Sequence, residues 1–352
     1  MPFIVTRQEI GIGSCYHTAA LSPNTRRTPL ETSERPKRRS RAYWLLLAVG
    51  LVLLALLIAH IGPQKMLTAW RQANKSLLAA GVALFLAGLL VRGVKWRLFL
   101  SVTPHRVRYV DALRAYVLNA FFANLTPART GEVFAPVWLG RHGVPTATGF
   151  AVMIVDRMLD LVVVLSFFAV AVWNLNRLAP VDTAVYRTAG IAALIIVAAM
   201  LIVVLLALAR LDLAIGFLSR FSGRAAVRVR GALSSFRDAL VPFRHRRVLA
   251  ANLGLTALTW LMDLTTSFFV VRSVLPTLTW SASATASLFA TAAALASFVP
   301  GGIGVGAVGF TAVIALLGYD ATAAGAGAVL MTLLTQLVRA AAAGLLAMKS
   351  ER

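Results

Sequence analysis

The chain alternates long apolar runs with short polar gaps. Uninterrupted apolar runs cover 42–61, 77–91, 147–173, 188–209, 248–271 and 323–348. Each is close to the roughly 20 residues that carry an α-helix across a bilayer, the second by running on to Leu100. Two further apolar segments, 115–140 and 283–318, are interrupted by Pro and Gly. The first break reads Asn-Leu-Thr-Pro-Ala-Arg-Thr-Gly-Glu from Asn124 to Glu132, the second Phe-Val-Pro-Gly-Gly-Ile-Gly-Val-Gly from Phe298 to Gly306. Pro127 and Pro300 stand 173 residues apart, and so do Gly131 and Gly304. Interrupted apolar segments at matching places in two halves point to the binding site of an inverted-repeat membrane protein. The predicted fold is therefore an all-α polytopic membrane protein built from two inverted-topology halves, 42–173 and 188–348. About six full spans are expected, with two re-entrant or broken helical segments turning at Pro127 and Gly131 and at Pro300, Gly301, Gly302 and Gly304.

Charge supplies the orientation. The 352 residues carry 35 Lys and Arg against 13 Asp and Glu, a net charge of +22. The cations gather in the gaps between apolar runs, which is a topology signal and not a nucleic-acid footprint, so no nucleic acid is expected as a partner. With the amino terminus inside and both broken segments re-entrant, 26 cations fall in inside regions and six in outside loops. The protein is expected in the cell membrane, multi-pass, with both termini cytoplasmic. Residues 1–41, polar and ending in the basic run Arg35–Arg41, read as a disordered cytoplasmic tail preceding a transmembrane domain over 42–348. Residues 210–247 place Arg among Leu, Val and Phe, a pattern for an amphipathic interfacial helix interrupted at Gly216, Gly223 and Gly231.

The same parity makes the first broken segment enter from the inside and the second from the outside. Irregular backbone at membrane depth has to face protein or a watery cavity, because an unpaired amide there costs several kcal/mol. A half-helix starting after each proline offers free N–H groups and the positive end of its dipole to an anion. In the first break Arg129 is suited to fork onto a phosphate, with Asn124, Thr126 and Thr130 as neutral donors. Glu132 either receives a cationic group of a substrate or pairs with Arg129 to close the loop. Asp156, Arg157 and Asp160 share one helix, with the two carboxylates four residues apart on one face. They serve either an interfacial ion pair or the first break. Asp263 and Arg339 are charges inside apolar spans; a mutual pair and a neutral Asp263 are both open readings. Arg92, Lys95, Trp96 and Arg97 end the second span and read as a snorkelling, aromatic anchor at the interface. The second break carries no charge; its glycines suit close helix packing or a backbone cradle for an anion. One cysteine and five scattered histidines offer neither a disulfide nor a metal site, and no cofactor is expected.

Across about 42–348 the chain resembles the lysylphosphatidylglycerol synthase transmembrane-region family, whose members look like lipid-translocating modules. The resemblance rests on Arg92, Trp96 and Arg97; on Asn124, Pro127, Arg129, Gly131 and Glu132; on Asp156, Arg157 and Asp160; and on the Pro-Gly-Gly-Ile-Gly motif at Pro300. Where the family pattern has an Arg early in the last span, this chain has Met331 and Thr332, and the nearest Arg is Arg339. Some members are fused to a cytoplasmic aminoacyl-transferase domain, for which these apolar segments leave no room, so no enzymatic activity is expected. The resemblance implies a flippase-like protein handling an anionic phospholipid or polyprenyl-linked lipid, with Asn124, Thr126, Arg129, Thr130, Glu132 and Arg157 at the headgroup. The alternative is a non-transporting subunit that anchors or regulates a membrane or cytoplasmic lipid-modifying or cell-envelope enzyme.

Overall fold

A computed structural model describes residues 62–178, 210–218, 220, 223–241, 245–297, 299–302 and 304–348, with isolated positions within 52–59 and 188–206. The expected tail at 1–41 lies outside these residues, and the expected spans at 42–61 and 188–209 lie largely outside them.

Among the described residues the ordered elements are helical throughout. Helix α1 spans Pro63–Gln72, α2 Lys75–Ser101, α3 Tyr109–Leu125, α4 Phe134–Arg141 and α5 Thr146–Leu178. Helices α6 (Leu211–Leu218) and α7 (Arg224–Leu240) come next, then α8 (Arg246–Arg272), α9 (Trp280–Ser297), α10 (Val305–Leu316) and α11 (Ala321–Met348). Four of them, over Lys75–Ser101, Thr146–Leu175, Arg246–Arg272 and Ala321–Ala347, are long and apolar enough to cross a membrane. Local chemistry fixes their starts. Asn74 caps α2 by accepting hydrogen bonds from the amides of Ser76 and Leu77 at 3.0 and 3.2 Å. Asp320 does the same for α11 through the amide of Thr322 at 2.7 Å. Apolar side chains remain on the outside of the bundle, among them Trp173, Leu337 and Leu345. Such a surface suits hydrocarbon as solvent.

The order of elements repeats. Helices α2, α3, α4 and α5 recur as α8, α9, α10 and α11, and a 3₁₀ turn breaks each series at the same place, Pro127–Val133 and Pro300–Gly302. Helices α2 and α8 are each 27 residues long and form the most extensive helix pair of the bundle. They lie antiparallel. The Asn74 amide at the start of α2 donates to the Ser273 carbonyl beyond the end of α8, while Lys95 late in α2 reaches Thr256 early in α8. One apolar core gathers Trp96, Phe99, Leu100, Leu139 and Val152 of the first series. Another gathers Val271, Leu278, Phe310, Ile314 and Val329, mainly from the second.

Helices α6 and α7 occupy the segment read as amphipathic. Gly223 marks the break between them, whereas Gly216 and Gly231 lie inside helices, a departure from the expected interruptions. Helix α7 lays Phe236, Ala239 and Leu240 on the first core and leaves Val227 and Val229 exposed. Arg237 donates to Asp212 and Asp238, bonds that raise its already high pKa further.

Candidate functional site

The first break is built by three local devices. Thr126, preceding a proline, takes an extended backbone and ends α3. Its hydroxyl oxygen accepts a hydrogen bond from the Gly131 amide at 2.7 Å, which folds the 3₁₀ turn back on the helix end. Gly131 packs so closely on the Phe122 carbonyl that a methyl group there would overlap it. Between them Arg129 adopts φ 55°, the one non-glycine residue with positive φ among those described. That conformation costs about 1–2 kcal/mol for an L-residue, and strain of this kind concentrates at functional sites. Beyond the turn, Asn119 of α3 accepts from the Ala135 amide at 3.2 Å and so ties down the start of α4.

The turn delivers charge onto α5. Arg129, with its side chain 45% exposed, sets Nε 2.9 Å from Glu132 Oε1. Glu132 also faces Arg157, whose guanidinium lies 3.1 Å from Asp160 and 3.4 Å from Asp156. Deeper in, Lys95 of α2 reaches Asp156 at 2.7 Å and Asp160 at 3.2 Å, and its ammonium donates to the Thr256 hydroxyl at 3.0 Å. The indole N–H of Trp96 lies 3.3 Å from Asp156. Lys95 is 2% exposed and Asp156 1%, so this ion pair is taken out of solvent and held by several partners at once. Glu132 Oε1, Asp156 Oδ1 and Arg157 Nε are buried atoms without a well-formed hydrogen bond of their own. Tyr116 of α3 stands over this network, edge-on to Trp96 and 6.0 Å from the Arg92 guanidinium.

The second break turns on backbone alone. Gly301, Gly302 and Gly304 all have positive φ, 63°, 63° and 82°, which side chains rarely adopt. The two 3₁₀ turns pack against one another, and α3 packs against the second. Beside the second turn lies a cavity of about 290 Å³, walled by α2, α8, α9, α10 and α11. Its polar lining includes Asp263, Arg339, Ser267, Ser287, Thr291, Thr332 and Thr335, set among Phe85, Leu264, Val271 and Phe310. Asp263 pairs with Arg92 across the α2–α8 contact. Arg339 donates to Gln336 at 2.9 Å and lies 5.6 Å from the Phe85 ring centre.

The structure thus gathers Arg129, Glu132, Asp156, Arg157 and Asp160 into one cluster and sets Asp263 and Arg339 on a neighbouring cavity. Of the neutral donors expected at the first break, Thr130 is exposed. The other two are used internally: the Asn124 amide donates to the Ala120 carbonyl at 2.6 Å, and the Thr126 hydroxyl closes the turn. Asp263 takes Arg92 as partner in place of Arg339. The anchor reading of Arg92, Lys95 and Trp96 is corrected. Helix α2 continues to Ser101, which puts these three inside the bundle, with Trp96 fully buried, while Arg97 stays exposed. The signal was available in their spacing, because 92, 95, 96 and 99 share one helical face that excludes 94 and 97.

Comparison with known proteins places the chain in a membrane-protein family. The chain is 24% identical over 329 residues to UPF0104 membrane protein PH1989 of Pyrococcus horikoshii, covering 88% of this chain and 97% of that protein. It is 25% identical over 330 residues to Glycosyltransferase AglD of Haloferax volcanii. That match covers 83% of this chain and 51% of the relative, so the chain spans about half of the glycosyltransferase's length. The family model for the lysylphosphatidylglycerol synthase TM region matches residues 43–343, a stretch holding both breaks, the buried charge cluster and the cavity. The chain is a multi-pass membrane protein belonging to the lysylphosphatidylglycerol synthase TM region family.

Proposed function

We propose that this protein binds an anionic phospholipid or polyprenyl-linked lipid at the first break and moves its headgroup across the bilayer. The observation that carries the reading is the pair of broken helices meeting beside a buried charge cluster, with Arg129 strained and half-exposed at its edge. An arginine on a turn at membrane depth has five donors for a phosphate, and charges so placed usually have a task. The antiparallel contact of α2 and α8 supports an inverted repeat. Arg92 and Asp263 are each the eighteenth residue of their 27-residue helices, and they pair with each other. Contact between equivalent positions is what a two-fold axis between the halves produces. With that axis in the membrane plane, the two breaks are reached from opposite faces, and the distribution of Lys and Arg supports both termini in the cytoplasm.

The test is a headgroup-exposure assay in proteoliposomes containing fluorescent phosphatidylglycerol and a membrane-impermeant quencher. The wild type should expose inner-leaflet lipid. Arg129→Ala and Glu132→Ala should each slow that exposure about tenfold or more, the loss expected from one charge-assisted contact. Unchanged rates in both variants remove the first break from the mechanism.

A second reading comes from the match to a glycosyltransferase roughly twice as long. There the same membrane unit is part of a larger protein, and this chain would anchor or regulate a separate lipid-modifying enzyme without transporting. A stoichiometric copurifying enzyme, together with no lipid exposure by the purified protein, selects that reading.

A further inference from the structure

Each interior cation of the first cluster and of the α2–α8 contact has a carboxylate partner: Arg92 with Asp263, Lys95 with Asp156 and Asp160, Arg157 with Asp160. Arg339 differs. Among the described residues no carboxylate lies within 4.0 Å of it; its partners are the neutral Gln336 and the face of Phe85. It stands nine residues before the end of α11, about 13.5 Å of helix rise inside a helix long enough to cross a membrane. A cation in that position is expensive unless an anion joins it.

Most of the other polar groups on the cavity have the opposite hydrogen-bonding character; the Trp260 indole and the Ser267 hydroxyl, which accepts from Ser287 at 2.9 Å, are the exceptions. The hydroxyls of Thr291, Thr332 and Thr335 spend their protons on the carbonyls of Ser287, Ala328 and Met331, at 2.8, 2.9 and 2.8 Å. What they offer the cavity is oxygen lone pairs. Asp263, a third exposed, adds an acceptor-only carboxylate, one oxygen of which Arg92 engages. The 290 Å³ space therefore sets one donor-rich cation against a wall in which acceptors predominate.

We infer that this cavity is a second binding station, for a phosphate ester that itself carries hydroxyl or ammonium donors. Arg339 takes the phosphate, while Asp263 and the threonine oxygens take the donors. A bare phosphate fills only the first half of this description, and an apolar ligand fills none of it. The station deepens the lipid-handling reading above and names the headgroup class: a phosphate bearing a polyol or an amino alcohol. It differs from the first break in using a charge from the last span.

The experiment is native mass spectrometry of the full chain, titrated with phosphatidylglycerol, with diacylglycerol lacking the phosphate, and with soluble glycerol 3-phosphate. Phosphatidylglycerol should be retained and diacylglycerol not. Arg339→Gln should weaken retention about tenfold and Arg339→Lys less, in line with the loss of a bidentate contact. Thr332→Phe, which fills the cavity without removing the charge, should remove the lipid held at this station and leave that held at the first break, while an unchanged melting temperature shows the fold intact. Equal retention by Arg339→Gln and the wild type overturns the station. Retention of soluble glycerol 3-phosphate at matching affinity supports the site and identifies a free ester as its ligand. The two readings fail separately: loss of binding in Arg339→Gln, with no lipid exposure by the wild type, keeps this station and removes transport.

Discussion

Burying Lys95 forces its surroundings to supply what water would have supplied. Its ammonium has three donors, and Asp156, Asp160 and Thr256 receive them, from two helices other than its own. Removing one partner of a buried pair leaves an uncompensated charge, at a cost of about 3–5 kcal/mol. Lys95→Met should therefore lower the melting temperature of the purified protein sharply, and adding Asp156→Asn should restore part of the loss. A double variant no more stable than the single one would mean that the pair is not the source of the cost. Gly131 is set by space instead of charge. Its close approach to the Phe122 carbonyl leaves no room for a methyl group, so Gly131→Ala should destabilise by about 1–3 kcal/mol, the usual cost of forced overpacking. A thermal unfolding series in detergent measures both.

On the level of single elements, the broken helices carry their own logic. Pro127 and Pro300 end the α-helical ladder, but they do not decide the shape of the turn beyond. After Pro127 the turn closes through a side chain, the Thr126 hydroxyl on the Gly131 amide; after Pro300 it closes through glycines with positive φ. The first turn alone holds a charged side chain in a left-handed backbone. That strain separates the two roles of Arg129. Arg129→Gly should relieve about 1 kcal/mol of strain and raise the melting temperature, whereas Arg129→Ala keeps the strained backbone. Both should lose lipid exposure if the guanidinium does the work. Helix α7 sits between, its apolar edge on the first core and its valines exposed, as an element half in contact with the bundle.

For the molecule as a whole, the decisive feature is that equivalent helices α2 and α8 pack antiparallel with equivalent residues in contact. If both span the membrane, the halves are inverted and their loops emerge on opposite faces. Arg141, at the end of α4, and Ala321, at the start of α11, are both exposed. In a Cys15→Ser background, Arg141→Cys should react with an impermeant thiol reagent from the cytoplasmic side only and Ala321→Cys from the outside only. Labelling of both from the same face would refute the inverted arrangement. A single native cysteine makes this background simple to prepare.

Periodicity and punctuation were enough to read the helices. Apolar length gave the four span-length helices among the described residues, and the 173-residue offset gave the two breaks, because hydrocarbon as solvent leaves few alternatives to a helix and proline interrupts one wherever it stands. Arg129, Glu132, Asp156, Arg157 and Asp160 stood out for the same reason, because charges are rare in such segments. The sequence leaves open whether the last three join the first break or pair at the interface, and it is Glu132 facing Arg157 that decides. Which charges pair was not legible. Lys95 resembled an interfacial anchor until packing placed it inside the bundle, and Asp263, read as a partner of Arg339 or as neutral, is paired by packing with Arg92 instead. Ion pairing depends on helix register and crossing, which separate residues by 171 positions in sequence and bring them within a hydrogen bond in space. Only the packed bundle fixes that distance, and with it which cation is left facing an open cavity.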